Sequence, residues 1–266
     1  MLMIRELDEL VLGNMVFGKG IYGFHIKVEN VPGVAASISQ VAFNRGVNIV
    51  SFVPSISSRE AEVASIFLAV DFYGKAESPS DFLNDLKQAP GVIDAQMITP
   101  KAKGNVIVDE HFFPLIFSDS RAILFGLASL SILLRELRKV FNPKAVDSLL
   151  YHSGYTIGTR LYTVHAAKVK EMGDKEALEL LQAFFLGAGW GRPEVIRVSE
   201  NSITLRFYDL WECEVMKGFV QEPASHYVRG IIAGYMTLAL RKIIEVTEHK
   251  CIAIHSPFCE FIIRIM

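Results

Sequence analysis

Three cysteines in 266 residues are too few, and odd in number, to build the disulfide framework of a secreted scaffold, and they fit a reducing compartment. Excess charge is equally scarce. With a net charge of −2, no Lys/Arg cluster and no helix-turn-helix pattern, the chain lacks the electrostatic footprint of a direct nucleic-acid binder. No apolar run is long enough for a transmembrane segment; the most apolar stretch, 122–134, is short and carries Ser129 and Ser131. Met1-Leu-Met-Ile is interrupted at once by Arg5, Glu6, Asp8 and Glu9, so there is no signal-peptide pattern and the expected location is cytoplasmic. Redox signatures are missing as well: no dinucleotide fingerprint, flavin signature or iron–sulfur cysteine set occurs. Gly187-x-Gly189-x-Gly191 follows an amphipathic helix and precedes a strand, the reverse of a dinucleotide site, and reads as a helix-ending loop.

What is present suits two globular domains of α+β class, with 51% hydrophobic and 21% charged residues. Residues 1–19 form an N-terminal segment with a helix-like run, Ile4, Leu7, Leu10 and Val11. In residues 20–100, Phe24, Ile26 and Val28 alternate with His25, Lys27 and Glu29 as in a half-buried strand, and Asn30-Val31-Pro32-Gly33 turns the chain into a helix. Strands over 48–57 and 60–72, a helix over 79–88 and a strand over 92–99 complete β-α-β-β-α-β, a ferredoxin-like unit. Residues 101–105 have the turn-formers and charge of a linker, and 106–266 form the second domain, with an antiparallel sheet and long helices. There the apolar helix beginning at Ala122 is predicted to be central or to lie at a subunit interface, because it is apolar on several faces. Residues 226–247 have helical spacing, and Gly230 and Gly234, one turn apart, each cost about 1 kcal/mol of helix stability relative to Ala, so close packing on that face is expected.

The residues with the most chemistry are Glu248-x-x-Cys251 and, after seven more residues, Cys259. Residues 250–265 read as a hairpin with Pro257 in its turn, and a register centred on His255 sets the two sulfurs opposite each other, within reach of one tetrahedral ion. The other reading of these thiols is as small buried hydrophobes.

Two resemblances organise the rest. The order Asn30-Val-Pro-Gly33-Val34, then Asn44-Arg-Gly46-Val-Asn48-Ile49, within the split βαβ pattern resembles the ACT domain, an amino-acid-sensing and dimerising module. The resemblance implies an amino acid at the first helix start, with Asn30, Gly33 and Val34 as binding residues, and a homodimer; Asn30 stands where the family has Asp. From about residue 105 onward, Phe113-Pro114-Leu115, Arg121-Ala-Ile-Leu124, Gly154-Tyr-Thr-Ile-Gly158, Gly189-Trp190-Gly191, Gly230-x-x-x-Gly234-Tyr235 and the closing Glu-Cys-Cys-x-Phe261 pattern resemble the 4-vinyl reductase family of sensor domains. That family holds zinc with Cys, Glu, Cys and Cys, and Ser225 occupies the position of the first Cys. Zinc at Glu248, Cys251 and Cys259 is therefore the implied cofactor, with His226 the favoured fourth ligand and His255 or water as alternatives. An adjoining apolar pocket for a small hydrophobic or aromatic ligand is implied too, with Trp190 and His152 as candidate contacts.

Together these features predict a non-enzymatic, ligand-sensing regulatory protein. The alternatives are a reductase acting on a vinyl-bearing tetrapyrrole and a lipid-binding assembly module.

Overall fold

Strands of period two and helices of period 3.6 alternate along the chain and fold into two units, each with its own antiparallel sheet and helices. The computed structural model describes residues 15–56, 60–117 and 120–266, and it divides between residues 123 and 124. The helix-like run Ile4, Leu7, Leu10 and Val11 lies outside the described residues.

The first unit runs β1 (Met15–Phe17), β2 (Ile21–Glu29), α1 (Val34–Asn44), β3 (Asn48–Ser55), β4 (Val63–Asp71), α2 (Pro79–Gln88), β5 (Val92–Ile98), β6 (Val106–Val108) and a short hairpin of β7 (Ile116–Phe117) and β8 (Ser120–Arg121). Its main sheet is antiparallel in the order β3-β4-β2-β5, the ferredoxin-like arrangement. Phe24, Ile26 and Val28 of β2 and Ile66, Leu68 and Val70 of β4 pack with Val34 and Ile38 of α1 and Phe82 and Leu86 of α2. Gly33 opens α1 at φ 96°, a left-handed conformation that favours glycine. Ser78 and Pro79 open α2, with the Ser78 hydroxyl accepting the Ser80 N–H.

The second face of this sheet departs from the half-buried strand read in the sequence. Phe67 and Ala69 pack there with Ile107, Val53, Ile98 and Phe112, and His25 is buried while Lys27 and Glu29 stay exposed. The chain after β5 supplies the cover: Lys101 N–H bonds Val106 O, and β6 pairs with β1. Residues 101–105, expected as a linker, are thus a turn within the first unit, and the chain divides later because 106–112 is built into that unit.

The second unit contains α3 (Leu127–Val140), α4 (Pro143–Lys168), α5 (Asp174–Gly187), β9 (Arg192–Ser199), β10 (Ser202–Tyr208), α6 (Trp211–Met216), α7 (His226–Leu240), β11 (Ile244–Lys250) and β12 (Cys259–Ile265). Its antiparallel sheet has the order β11-β12-β10-β9. Two expected helices have other bounds than their spacing suggested. The helix placed from Ala122 begins at Leu127, and α3 leaves Ile132, Leu133 and Val140 exposed. The helix placed over 226–247 ends at Leu240, where Arg241 turns left-handed at φ 52° and β-formers from Ile243 onward start β11.

The close packing expected at Gly230 and Gly234 is helix on helix. A Cβ on Gly234 would lie 2.1 Å from Tyr155 O, and one on Gly230 would lie 2.1 Å from Tyr151 O. The opposing helix answers in kind: a Cβ on Gly154 would meet Tyr227 O at 2.1 Å and one on Gly158 would meet Ile231 O at 2.2 Å. Four glycines at i, i+4 spacing therefore let the backbones of α4 and α7 touch.

Beside this seam, the buried His165 ring bonds the Tyr235 hydroxyl through Nδ1 at 2.9 Å. Burial, and then Lys168, lower its pKa from 6.5. The folded state then binds fewer protons than the unfolded chain at this residue, so its stability contribution is lost as pH falls below the unfolded value. Thermal melts of wild type from pH 7.5 to 5 should show a falling Tm, and His165→Gln should flatten the slope. Equal slopes in both proteins would remove His165 as the cause.

Candidate functional site

Four donor side chains meet where α6, the start of α7, β11 and β12 come together. One oxygen or sulfur from each of Cys213, Glu248, Cys251 and Cys259 lies within 4.8 Å of the others. The three cysteines are completely buried. Cys213 Sγ lies 3.2 Å from Cys251 Sγ and 2.7 Å from Ser225 Oγ. Ser225 holds the carboxylate: its hydroxyl donates to Glu248 Oε1 at 2.8 Å and its backbone N–H to Oε2 at 3.1 Å.

The local folding reasons are specific. A strand would put Glu248 and Cys251 on opposite faces, since three is an odd step. The register shifts between Glu248, opposite Phe261, and Lys250, opposite Glu260, so His249 is an extra residue and the bulge returns Cys251 to the side of Glu248. Beyond the bulge the register is the one centred on His255, with Lys250 opposite Glu260; β11 stops there, and Ile252–Ile254 form a 3-10 turn before β12. Cys251 and Cys259 converge across that turn, and the Ile252 N–H donates to Cys259 Sγ at 3.3 Å. Next to Cys213, the fully buried Glu212 carboxylate accepts the Tyr227 and Val228 N–H groups at 2.9 Å each, anchoring α6 to the first turn of α7. Burial pushes that carboxyl up to about 7 despite the two donors.

His226, expected as the fourth ligand, is not in the cluster. It begins α7, one step past Ser225, and its ring faces outward to Asp147, with Nε2 3.4 Å from Oδ1, and to Arg229. His255 is exposed in the turn. Cys213 fills the place instead, and it was missed because nothing in the sequence brings α6 to β11; its one signal was being the remaining thiol.

The cluster is electrostatically incomplete as a set of bare side chains. Burial, then the neighbouring Cys251, pushes the Glu248 carboxyl up to about 8. Hydrogen bonding between Cys213 and Cys251 raises the first thiol and holds the second well below its usual range. Potential anions crowded out of water call for a cation. The donor set fits zinc in chemistry and number: Zn–S bonds of about 2.3 Å place tetrahedral sulfurs roughly 3.8 Å apart, and Cys₃Glu leaves no open position.

The other expected contacts are placed elsewhere. Trp190 sits in an aromatic cluster with Phe184, Phe185, Trp211 and Tyr227, and His152 is exposed on α4. Neither lines the apolar cavity of about 680 Å³ in this unit, whose walls include Leu178, Val195, Ile203, Leu240 and Ile265 with Lys242 and Glu179 among its polar groups. In the first unit, the Asn30 amide donates to Ala61 O at 2.8 Å and Val34 is buried in the core, which leaves Gly33 exposed at the start of α1.

No family model matches the chain. Two uncharacterized proteins of Methanocaldococcus jannaschii are similar, one 33% identical over 32% of this chain and 52% of its own length, the other 26% identical over 45% of this chain and 65% of its own length. The chain thus spans between about half and two thirds of these relatives. Among solved structures, the phenol-responsive sensory domain of the transcription activator PoxR, with phenol, aligns at TM-score 0.52 and 18% identity, over 71% of this chain and 91% of that one. A vinyl-4-reductase family protein of M. jannaschii and an ACT domain of a Chlorobium tepidum GTP pyrophosphokinase also align, at TM-scores of 0.37 and 0.25, over 56% and 30% of this chain and 85% and 100% of theirs, at 18% and 16% identity. The likeness to the phenol-responsive domain is one of fold. No helix among the described residues is long and apolar enough to cross a membrane.

Proposed function

We propose that the second unit is a ligand-sensing module that binds a small hydrophobic or aromatic molecule, and that a zinc ion held by Cys213, Glu248, Cys251 and Cys259 ties its strands and helices together. The observation that carries this reading is the apolar cavity of about 680 Å³, within the size range of small-molecule sites. The phenol-responsive domain, which has the same fold, binds a molecule of this class. Regulation rather than catalysis is the reading favoured by the metal cluster, because four protein donors fill a tetrahedron and leave no position for substrate. The ion would supply structural cross-linking and charge compensation there. Ser225 would orient the Glu248 carboxylate, and the Ile252 N–H would stabilise the Cys259 sulfur.

The cavity is tested by extracting purified protein for mass spectrometry and by titrating it with a naphthalene-based fluorescent probe. Val195→Trp, placed in the cavity wall, should weaken probe binding at least about tenfold, near 1.4 kcal/mol, while leaving the metal content unchanged. Unaltered probe affinity in this folded variant would overturn the assignment of the cavity.

A further inference from the structure

The buried His25 on β2 does not face the helices. It sits on the opposite face of the sheet, with Phe67 of β4 and Gln96 of β5 as its cross-strand neighbours. The chain that covers this face brings Asp109 and His111 against it. His25 Nδ1 lies 2.7 Å from Asp109 Oδ2, and His111 Nδ1 lies 3.0 Å from Asp109 Oδ1. The His25 and His111 rings stack with centroids 4.3 Å apart. One donor atom from each of the three residues lies within 4.8 Å of the others.

We propose that His25, Asp109 and His111 form a cation site for a divalent transition-metal ion, separate from the cysteine cluster and belonging to the first unit. The Asp109 side chain is 0% exposed, and its partners among the described ion pairs are these two imidazoles. Both Asp109 oxygens face these imidazoles, and a cation held between the carboxylate and the two rings offsets the cost of removing that carboxylate from water. Two imidazole nitrogens and one carboxylate oxygen are the donors preferred by zinc, nickel, cobalt and iron(II).

The surroundings suit such an ion. Gln96 Nε2 lies 3.1 Å from His111 Nε2. Rotating that amide presents its oxygen to an Nε2–H, which leaves the His111 Nδ1 lone pair for the metal. The Asp109 carboxylate is aimed by the His111 backbone N–H, 2.9 Å from Oδ1. A cavity of about 210 Å³, lined by Gln96, Lys101, Asp109, Glu110 and His111 among others, adjoins the cluster. At roughly 30 Å³ per water, it has room for the water molecules that complete the coordination of a three-ligand ion. The bound ion fastens residues 106–111 to the sheet, so metal availability sets how firmly that face is closed.

Cobalt(II) titration of the metal-stripped full chain, followed by absorption and by metal analysis after gel filtration, tests this. Cobalt at the cysteine cluster gives intense thiolate charge-transfer bands in the near-ultraviolet. Cobalt at the imidazole–carboxylate site gives only weak visible bands, so the two sites, and failure at either one, are told apart. His111→Ala, at an exposed ring, and Asp109→Asn, which preserves size, should each lose about one equivalent of cobalt and the weak component while leaving any charge-transfer bands intact. Cysteine-site variants should leave the weak component in place. Unchanged stoichiometry and spectra in His111→Ala and Asp109→Asn, or absence of the weak component from wild type, would overturn the proposal.

Discussion

Gly234→Ala will destabilise the second unit, although alanine is the better helix former by about 1 kcal/mol. The added Cβ has no space: 2.1 Å from Tyr155 O is far inside contact distance, and the obstacle is backbone, which cannot rotate aside. The helices must separate, and forcing apart a packed interface costs about 1–3 kcal/mol, sometimes more. We expect Tm to fall by about 10 °C for a unit of this size. Gly158→Ala should behave alike, because its Cβ would meet Ile231 O at 2.2 Å. Thr156→Ala is the control: Thr156 is exposed on α4, so an alanine there meets no obstacle and should be neutral or slightly stabilising. A Gly234→Ala protein as stable as wild type by calorimetry would show that the two helices pack more loosely than described.

If the proposed zinc is held by the cysteine cluster, Cys251→Ala will strip it and lower the melting temperature of the second unit by more than the seam substitutions. Structural zinc sites contribute on the order of 10 kcal/mol to folding in small domains, and losing one of four ligands surrenders much of that while leaving Glu248 buried beside an incomplete cluster. Metal analysis of protein purified without a chelating tag should give about one zinc per chain for wild type and none for Cys251→Ala. Cys213→Ala should match it, whereas His226→Ala, whose ring faces Asp147, should retain full zinc. If Cys213→Ala kept its zinc while His226→Ala lost it, the ligand set favoured by the sequence would be restored. Zinc-free wild type with three intact thiols would dismiss the metal altogether.

The sequence disclosed local relations and concealed tertiary ones. Glu248, Cys251 and Cys259 were readable together because they flank one turn. Their geometry was not, since the bulge at His249 leaves no mark in a run of β-formers. Cys213 was invisible as a ligand because its approach depends on Glu212 gripping the first turn of α7, a contact between segments with no shared motif. The ferredoxin-like order was legible from alternation and from the Pro-Gly turn. The burial of His25 was not, because the residues covering it follow an apparent linker. The length of α7 was overestimated where the apolar pattern outran the capping: Arg241, Lys242 and Glu245 suit a helix by spacing, yet the backbone reverses at Arg241. Gly230 and Gly234 announced a close neighbour, but its identity as Gly154 and Gly158 required the fold. An apolar pocket was expected, but its lining went unread since its walls come from five elements, none of which carries a motif, and include neither Trp190, His152 nor the cysteine cluster.

The glycine seam also decides which parts of the second unit can yield. Backbone touching backbone at four points offers no side chains that could change rotamer, so α4 and α7 can neither slide nor roll past each other without collision. They travel as one rigid beam. Leu240, at the end of that beam, is one wall of the cavity, and Leu178 and Gln182 of α5 are another. Any change in the size of the cavity therefore falls to its other walls, α5 and the strands, while α7 keeps its place against α4.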